Sequence, residues 1–356
     1  MVTSDAAAGS NTAPHHVFII AEAGVNHDGS LEKALALVDI AAEAGADAIK
    51  FQTFRTEEVT TPDAAKADYQ QRQTGGGSQF DMIRALELDE DAHRQLAARC
   101  DQRGIEFMST PFSVWGIDLL LGLGMRRIKV ASGELVNLPL LRNIAGRRLP
   151  IILSTGMGTL AEVERAVGWI RSEWSRVGHA EQPGDLVILH CTSDYPAAPD
   201  TVNLRAMDTL ASALGVPVGY SDHTLGEAVS IAAVARGAVM IEKHFTIDRS
   251  AFGPDHAASL SPEQLASMVA GIRAVEVALG NGVKAPMPNE LKTRELVRRS
   301  AYAARAIAAG EQISDDAITF LRPSGGIGPD RADRLFSARA SRPIAQGQRI
   351  EEADLA

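Results

Sequence analysis

The chain of 356 residues is 45% hydrophobic and 22% charged, an ordinary balance for a globular protein with room for one large domain and a small one. A formal net charge of −10 speaks against general binding to nucleic acid or to an anionic membrane, so any anionic substrate needs a local cluster of basic and hydrogen-bonding groups. Two cysteines, Cys100 and Cys191, suit reduced thiols in a cytoplasm rather than a disulfide scaffold, and no apolar run approaches the ~20 residues that span a bilayer.

Residues 1–14 are small and polar, with neither a basic start nor an apolar core, and are expected to be a disordered tail rather than a signal peptide. After them one theme recurs. A short apolar strand ends in polar residues, and an amphipathic stretch follows. The expected strands are 17–22, 47–52, 105–110, 127–132, 150–155, 186–191, 217–221 and 238–244. Helical spacing marks 31–45, 90–103, 113–122, 159–177, 200–214, 225–236 and 262–279, with a shorter piece at 138–145. Strands alternating with helices imply parallel pairing, and near-continuous apolar strands imply burial on both faces. Eight such units over residues 15–280 fit an α/β fold of the (β/α)8 TIM barrel type, with a doubly wound sheet as the alternative. No G-x-G-x-x-G follows the first strand, which disfavours the latter.

The connection 53–88 is long and carries TGGGSQF, so a mobile flap over the barrel mouth is expected there. Prolines, glycines and charges in 281–299 read as a linker. Beyond it, 305–318 resembles 342–355 at an offset of 37 residues, which predicts a small, mostly β domain over 300–356 built on a duplicated unit.

In a TIM barrel the carboxyl ends of the strands face the active site. Those ends supply Glu22, Lys50, Gln52, Thr110, Lys129, Ser132, Ser154, Ser221, His223, Glu242 and His244. Lys50 and Lys129 with the hydroxyls of Thr110, Ser132, Ser154 and Ser221 form the residue set of an oxyanion site, since lysine offers a point charge and hydroxyls offer directed donors. The alternative is that the lysines pair with Asp47 or Glu134 at the rim. His223 and His244, on adjacent strand ends beside Glu242, are expected to ligate a divalent metal and leave its other positions open. Two imidazoles do not select one ion, so Mn, Mg, Co and Zn all fit. Glu22 reads either as a positioned acid or base or as the salt-bridge partner of Lys50.

The pieces IAEAGVNHDGS (20–30), KFQT (50–53), STPF (109–112), KVASGE (129–134), LSTGM (153–157), HCTSDYP (190–196), GYSDHTLG (219–226), IEKHFT (241–246) and GPDHAASL (253–260) closely resemble the sialic acid synthase family, in family order. Residues 300–356 resemble that family's SAF (antifreeze-like) domain. The resemblance implies a transferase that condenses phosphoenolpyruvate with an open-chain N-acylated mannosamine-type sugar to a nine-carbon α-keto acid and releases phosphate. It implies catalytic roles for Glu22, Lys50, Lys129, His223 and His244, with Mn or another divalent ion on the two histidines. Gln52, Tyr195, Glu242 and Asp255 would contact the sugar, and Ser193 stands where some members carry asparagine near the phosphate. It also implies a homodimer in which each small domain closes the partner's barrel, with Arg322 reaching the sugar's acyl group. The acceptor could be N-acetylmannosamine or a deoxy diacetamido sugar of the legionaminic or pseudaminic type. The rivals are a non-catalytic carbohydrate-binding protein and a Schiff-base aldolase, which needs a lysine in an apolar pocket.

Overall fold

The computed structural model describes His16–Ala356; the stretch 1–14, read as a tail, lies outside the described residues. Packing divides the chain into two compact units, one running through Asn281 and the other Gly282–Ala356. The first is a parallel eight-stranded (β/α)8 barrel. Its strands are β1 (Phe18–Gly24), β2 (Ala48–Thr53), β3 (Glu106–Pro111), β4 (Ile128–Val130), β5 (Ile151–Ser154), β6 (Leu186–Cys191), β7 (Val218–Asp222) and β8 (Met240–His244). The hydrogen-bonded order runs β3-β2-β1-β8-β7-β6-β5-β4, and β3 lies against β4 at the seam.

Alternation along each strand divides the apolar residues between two cores. Ile19, Ala21, Ile49, Phe51, Ile188 and Ile241 point outward and join the helices in one large cluster. Ile20, Ala48, Met108, Ile152, Leu189 and Met240 point inward and fill the barrel. Two residues further along the same inward faces come Glu22, Lys50, Thr110, Ser154, Cys191 and Glu242. The interior is therefore an apolar floor beneath a polar mouth. Helices start where the chain supplies caps: Ser30, Asp89, Thr159 and Ser261 side chains accept from the backbone N–H three residues on.

The connection 53–88 holds three short helices, Thr56–Val59, Asp68–Thr74 and Gln79–Arg84. Strand four is shorter than expected, because residues 132–134 turn into a 3₁₀ helix.

In the second unit, β9 (Ser300–Ala303) pairs antiparallel with β10 (Ile318–Leu321) around a small core that includes Ile307, Ile313, Ile344 and Ile350. The duplication seen in the sequence becomes an interlocking pair. Ile307 and Ile344 exchange both backbone hydrogen bonds, each 2.9 Å. Ile313 N donates to Ala338 O and Ile350 N to Ala301 O, and the two bonds are related by the same 37-residue offset. Residues 281–299, read as a linker, contain a helix, Pro288–Val297. A proline at its start and Glu290 accepting from Met287 N (2.7 Å) set it off, while its side chains are exposed, so no apolar periodicity announced it.

Candidate active site

The polar mouth is built from neighbouring strand tips, and its charges face one another. Lys50 Nζ lies 2.6 Å from Glu22 Oε2 and 3.6 Å from Glu242 Oε2, and it donates to Thr110 Oγ1 at 2.9 Å. Lys129 Nζ lies 3.2 Å from Glu242 Oε1, which also accepts from Ser221 Oγ at 2.7 Å. The lysines thus pair across the mouth and not with Asp47 or Glu134: Asp47 meets Arg273, and Glu134 accepts from Asn137. Parallel register decides this, because Glu22 stands opposite Lys50 and His244, two residues from the barrel floor.

Burial dominates the electrostatics. It pushes the Glu22 carboxyl up to about 7 against the pull of the Lys50 ammonium. The Lys129 and Lys50 charges overcome burial at Glu242 and hold it well below the usual carboxylate range. Burial lowers Lys129 despite Glu242 beside it. Lys50, with two carboxylates at hand, is held above the ordinary lysine value in spite of burial.

Across from the lysines stand the two imidazoles, with ring centroids 5.4 Å apart. His223 Nδ1 donates to the Thr192 carbonyl at 2.6 Å, which leaves Nε2 with the lone pair. His244 Nδ1 is buried without a hydrogen-bond partner, 3.7 Å from Asp255 Oδ2. Burial takes His223 down to about 4 and, with His223 alongside, His244 well below the usual histidine value. Both rings are therefore neutral, as ligation requires. Among the described residues no three His, Cys, Asp or Glu converge as a ready metal cage. The free lone pairs of His223 and His244 are the donors that could hold a cation here. Burial lifts Asp255 to about 6. Gly24 sits so close that a Cβ there would lie 3.3 Å from His244 Cε1 and 3.2 Å from Glu22 Oε1, and its φ is +53°.

The two histidines are braced from behind. Asp222 and Lys243, the outward-facing neighbours of His223 and His244, form an ion pair of 2.9 Å at 0% exposure. Asp222 also accepts from Thr224 and Ser230, and Lys243 Nζ donates to Thr224 O.

The mouth opens into a cavity of 390 Å³. Of the residues expected from the sequence, Glu22, Lys50, Gln52, Thr110, Lys129, Ser132, Ser154, Ser193, Tyr195, Ser221, His223, Glu242 and His244 line it. Asp255 lines the adjoining apolar pocket. Ser154 Oγ and Glu242 Oε2 are buried there without hydrogen-bond partners. Ser132 Oγ accepts from Gly156 N at 3.0 Å and meets Cys191 Sγ at 3.3 Å. A Cβ on Gly156 would strike Ser193, Cys191 and Ser132, all within 2.9 Å, so glycine is needed for that close approach. Arg322 is exposed in the second unit, just past β10.

Sequence reasoning missed Cys191 and Tyr69. Strand alternation from Leu189 already points Cys191 inward, whereas His190 faces away and bonds the Val202 carbonyl. Tyr69 stacks on Tyr195 with centroids 4.9 Å apart, and Tyr195 in turn lies 4.0 Å from His223. Nothing local in the 53–88 connection signals that long-range contact.

Known proteins match this architecture at both ends. Residues 37–284 match the NeuB family and residues 298–356 the SAF domain. The chain belongs to the NeuB family, with a C-terminal SAF domain. Among its relatives, N,N'-diacetyllegionaminic acid synthase of Legionella pneumophila is 46% identical over 93% of this chain and 92% of its own. Human N-acetylneuraminate-9-phosphate synthase is 33% identical over 86% of this chain and 83% of its own. The crystal structure of N-acetylneuraminic acid synthetase from Leptospira borgpetersenii in complex with citrate superposes with a TM-score of 0.68 at 34% identity, covering 79% of this chain and 90% of that one.

Proposed function

We propose that this enzyme condenses phosphoenolpyruvate with an open-chain N-acylated mannosamine-type sugar, giving a nine-carbon α-keto acid and inorganic phosphate. The observation that carries the reading is the mouth itself. Two lysines and an unpartnered buried hydroxyl, Ser154, face two neutral imidazoles across one cavity. Phosphoenolpyruvate is an anion of the size and charge that Lys50, Lys129, Thr110, Ser132, Ser154 and Ser221 can hold, with Ser193 at the edge.

Carbon three of the enol attacks the aldehyde carbon, and the new C–C bond leaves positive charge at carbon two. Water adds at carbon two, and the tetrahedral intermediate expels phosphate by breaking its carbon–oxygen bond. Glu22, poised near neutrality, takes the proton of that water and faces the cationic centre. Glu242, held ionised between the lysines, keeps both ammonium groups fixed. His223 and His244 would hold a divalent cation, most simply Mn, which supplies Lewis-acid polarisation of the aldehyde oxygen when bound. Gln52, Tyr195 and Asp255 orient the sugar.

The resemblance further supports a homodimer in which Arg322 of a second chain meets the acyl group. Mixing inactive His244→Ala and Arg322→Ala chains should then restore activity. Two buried free cysteines and a glycolytic substrate support a cytoplasmic setting; among the described residues no helix is long and apolar enough to cross a membrane.

Phosphate release from phosphoenolpyruvate, measured with a panel of amino sugars with and without chelator and added Mn, tests the reading. Release that needs both sugar and metal supports it. No release with any sugar overturns it. A covalent adduct trapped by borohydride would instead favour a Schiff-base aldolase.

A further inference from the structure

The helix Asp68–Thr74 borders the mouth of the barrel, and Tyr69 and Gln70 on its first turn line the cavity. The Tyr69 ring lies on Tyr195 with centroids 4.9 Å apart and 29° between the planes. Tyr195 lies in turn on His223, at 4.0 Å and 33°, and meets His244 in a T-shaped contact at 5.6 Å. One stack, in the order Tyr69, Tyr195, His223, therefore runs from the 53–88 connection to the imidazole pair.

Tyr195 depends on that stack. It is half-buried in the loop after β6, and among the described residues its hydroxyl has no hydrogen-bond partner. Ring packing sets its side chain. His223 differs, since its Nδ1 is tied to the Thr192 carbonyl. Burial, with the Asp255 and Asp194 carboxylates nearby, raises the Tyr69 hydroxyl above its ordinary value, so the ring meets the cavity uncharged.

The helix is held from outside the cavity. Lys66 Nζ donates to Thr74 Oγ1 at 2.9 Å, to Gly75 O at 3.1 Å and to Gly76 O at 2.9 Å, a clasp across the helix's C-terminal end. At the other end Gln70 Oε1 accepts from Ala67 N at 3.0 Å. Gly75 and Gly77, with φ of +67° and +99°, stand in open space, so the turn has no packing there and the Lys66 contacts hold it.

We infer that Tyr69 is a positioning residue for the acceptor: the helix Asp68–Thr74 brings its ring against Tyr195, the contact keeps Tyr195 on His223, and the Lys66 clasp keeps the helix there. This rests on the synthase reading above. With the aldehyde at the histidines, the acceptor passes the Tyr195 ring, while phosphoenolpyruvate sits on the buried lysines of the strand tips. Tyr69 thus acts on acceptor capture through Tyr195, by its ring and not by its hydroxyl, and leaves the anion seat alone.

The test reads kcat/KM for whichever panel sugar releases phosphate fastest, at saturating phosphoenolpyruvate, and the Kd of phosphoenolpyruvate without sugar by calorimetry. An aromatic contact is a modest interaction, so Tyr69→Leu should lower kcat/KM about three- to tenfold, chiefly through KM, and move the Kd by less than about twofold. Tyr69→Phe keeps the ring and should stay within about twofold of wild type in both. Lys66→Met, outside the cavity, should lower kcat/KM about threefold in the same pattern, and it decides the matter if Tyr69→Leu fails to fold. An unchanged kcat/KM in either Tyr69→Leu or Lys66→Met overturns the inference. So does a Tyr69→Phe enzyme as poor as Tyr69→Leu, which would put the hydroxyl itself on the sugar. An equal loss of phosphoenolpyruvate affinity overturns it too, because Tyr69 would then be a general packing residue. Each of these results leaves the synthase reading standing. Silence of the wild-type enzyme with every sugar overturns that reading, and this inference with it.

Discussion

Two buried charge clusters sit one residue apart on β7 and β8 and have opposite characters. On the outward face, Asp222 and Lys243 are fully enclosed and every polar atom is answered: Thr224 N, Thr224 Oγ1, Ser230 Oγ and Lys243 Nζ surround the carboxylate. On the inward face, Glu242 Oε2, His244 Nδ1 and Ser154 Oγ are buried without hydrogen-bond partners. Burying a polar group unpaired is costly, so a cluster that keeps three of them is arranged for something that arrives later. The lesson is that burial and charge do not by themselves mark a site; unanswered polar atoms gathered around one cavity do. The outward pair holds the fold, and the inward set is the one proposed above to take a ligand.

That contrast can be broken experimentally. The largest effect should come from the inward face: His244→Ala, or removal of metal by chelator, should lower phosphate release by more than about 10³-fold while the thermal midpoint moves little. An active His244→Ala enzyme would remove the histidine pair from the mechanism.

Glu22→Gln should cost about 10²- to 10⁴-fold in kcat, the range for a positioned proton acceptor. The pH profile sharpens this. Since burial raises Glu22 to about 7, the carboxylate forms as pH climbs through that value, and wild-type kcat should rise with it and then level. The Gln variant should lose that limb; a retained limb would assign it to another group.

Lys243→Met addresses the outward face. Leaving buried Asp222 without its cation should cost about 3–5 kcal/mol of stability by denaturant unfolding, and adding Asp222→Asn should recover part of it. A stability change below ~1 kcal/mol would mean that the pair is not the brace described here.

Ser154→Ala should have the smallest effect. Its hydroxyl has no protein partner, so stability should stay within about 0.5 kcal/mol, while the dissociation constant for phosphoenolpyruvate should rise about tenfold. Metal titration across pH closes the series. Affinity should hold from neutrality down to about pH 5 and fall as His223 takes up a proton near 4, because protonated imidazole does not ligate.

Much of this was legible in residues 17–260. Apolar strands ending in Glu22, Lys50, Thr110, Lys129, Ser154, Ser221, Glu242 and His244 announced both the barrel and its mouth, since strand alternation and the barrel's polarity are local rules. Three things were not legible. The partners of the lysines depended on register between strands, so Asp47 and Glu134 remained open until Glu22 and Glu242 were seen opposite them. Tyr69 reaches Tyr195 across more than a hundred residues of chain. The exposed helix Pro288–Val297 has no apolar face, and composition alone read it as a linker.

Alternation and periodicity, properties of a residue and its near neighbours, determined by themselves how many strands there are, which way each side chain points, and that the second unit is a duplicated device. Only tertiary structure decided which charges meet, which polar atoms stay unanswered, and that an apolar pocket adjoins the charged mouth. Those depend on the stagger of strands and the folding back of the 53–88 connection, and energies of contact between distant residues leave no period in the chain.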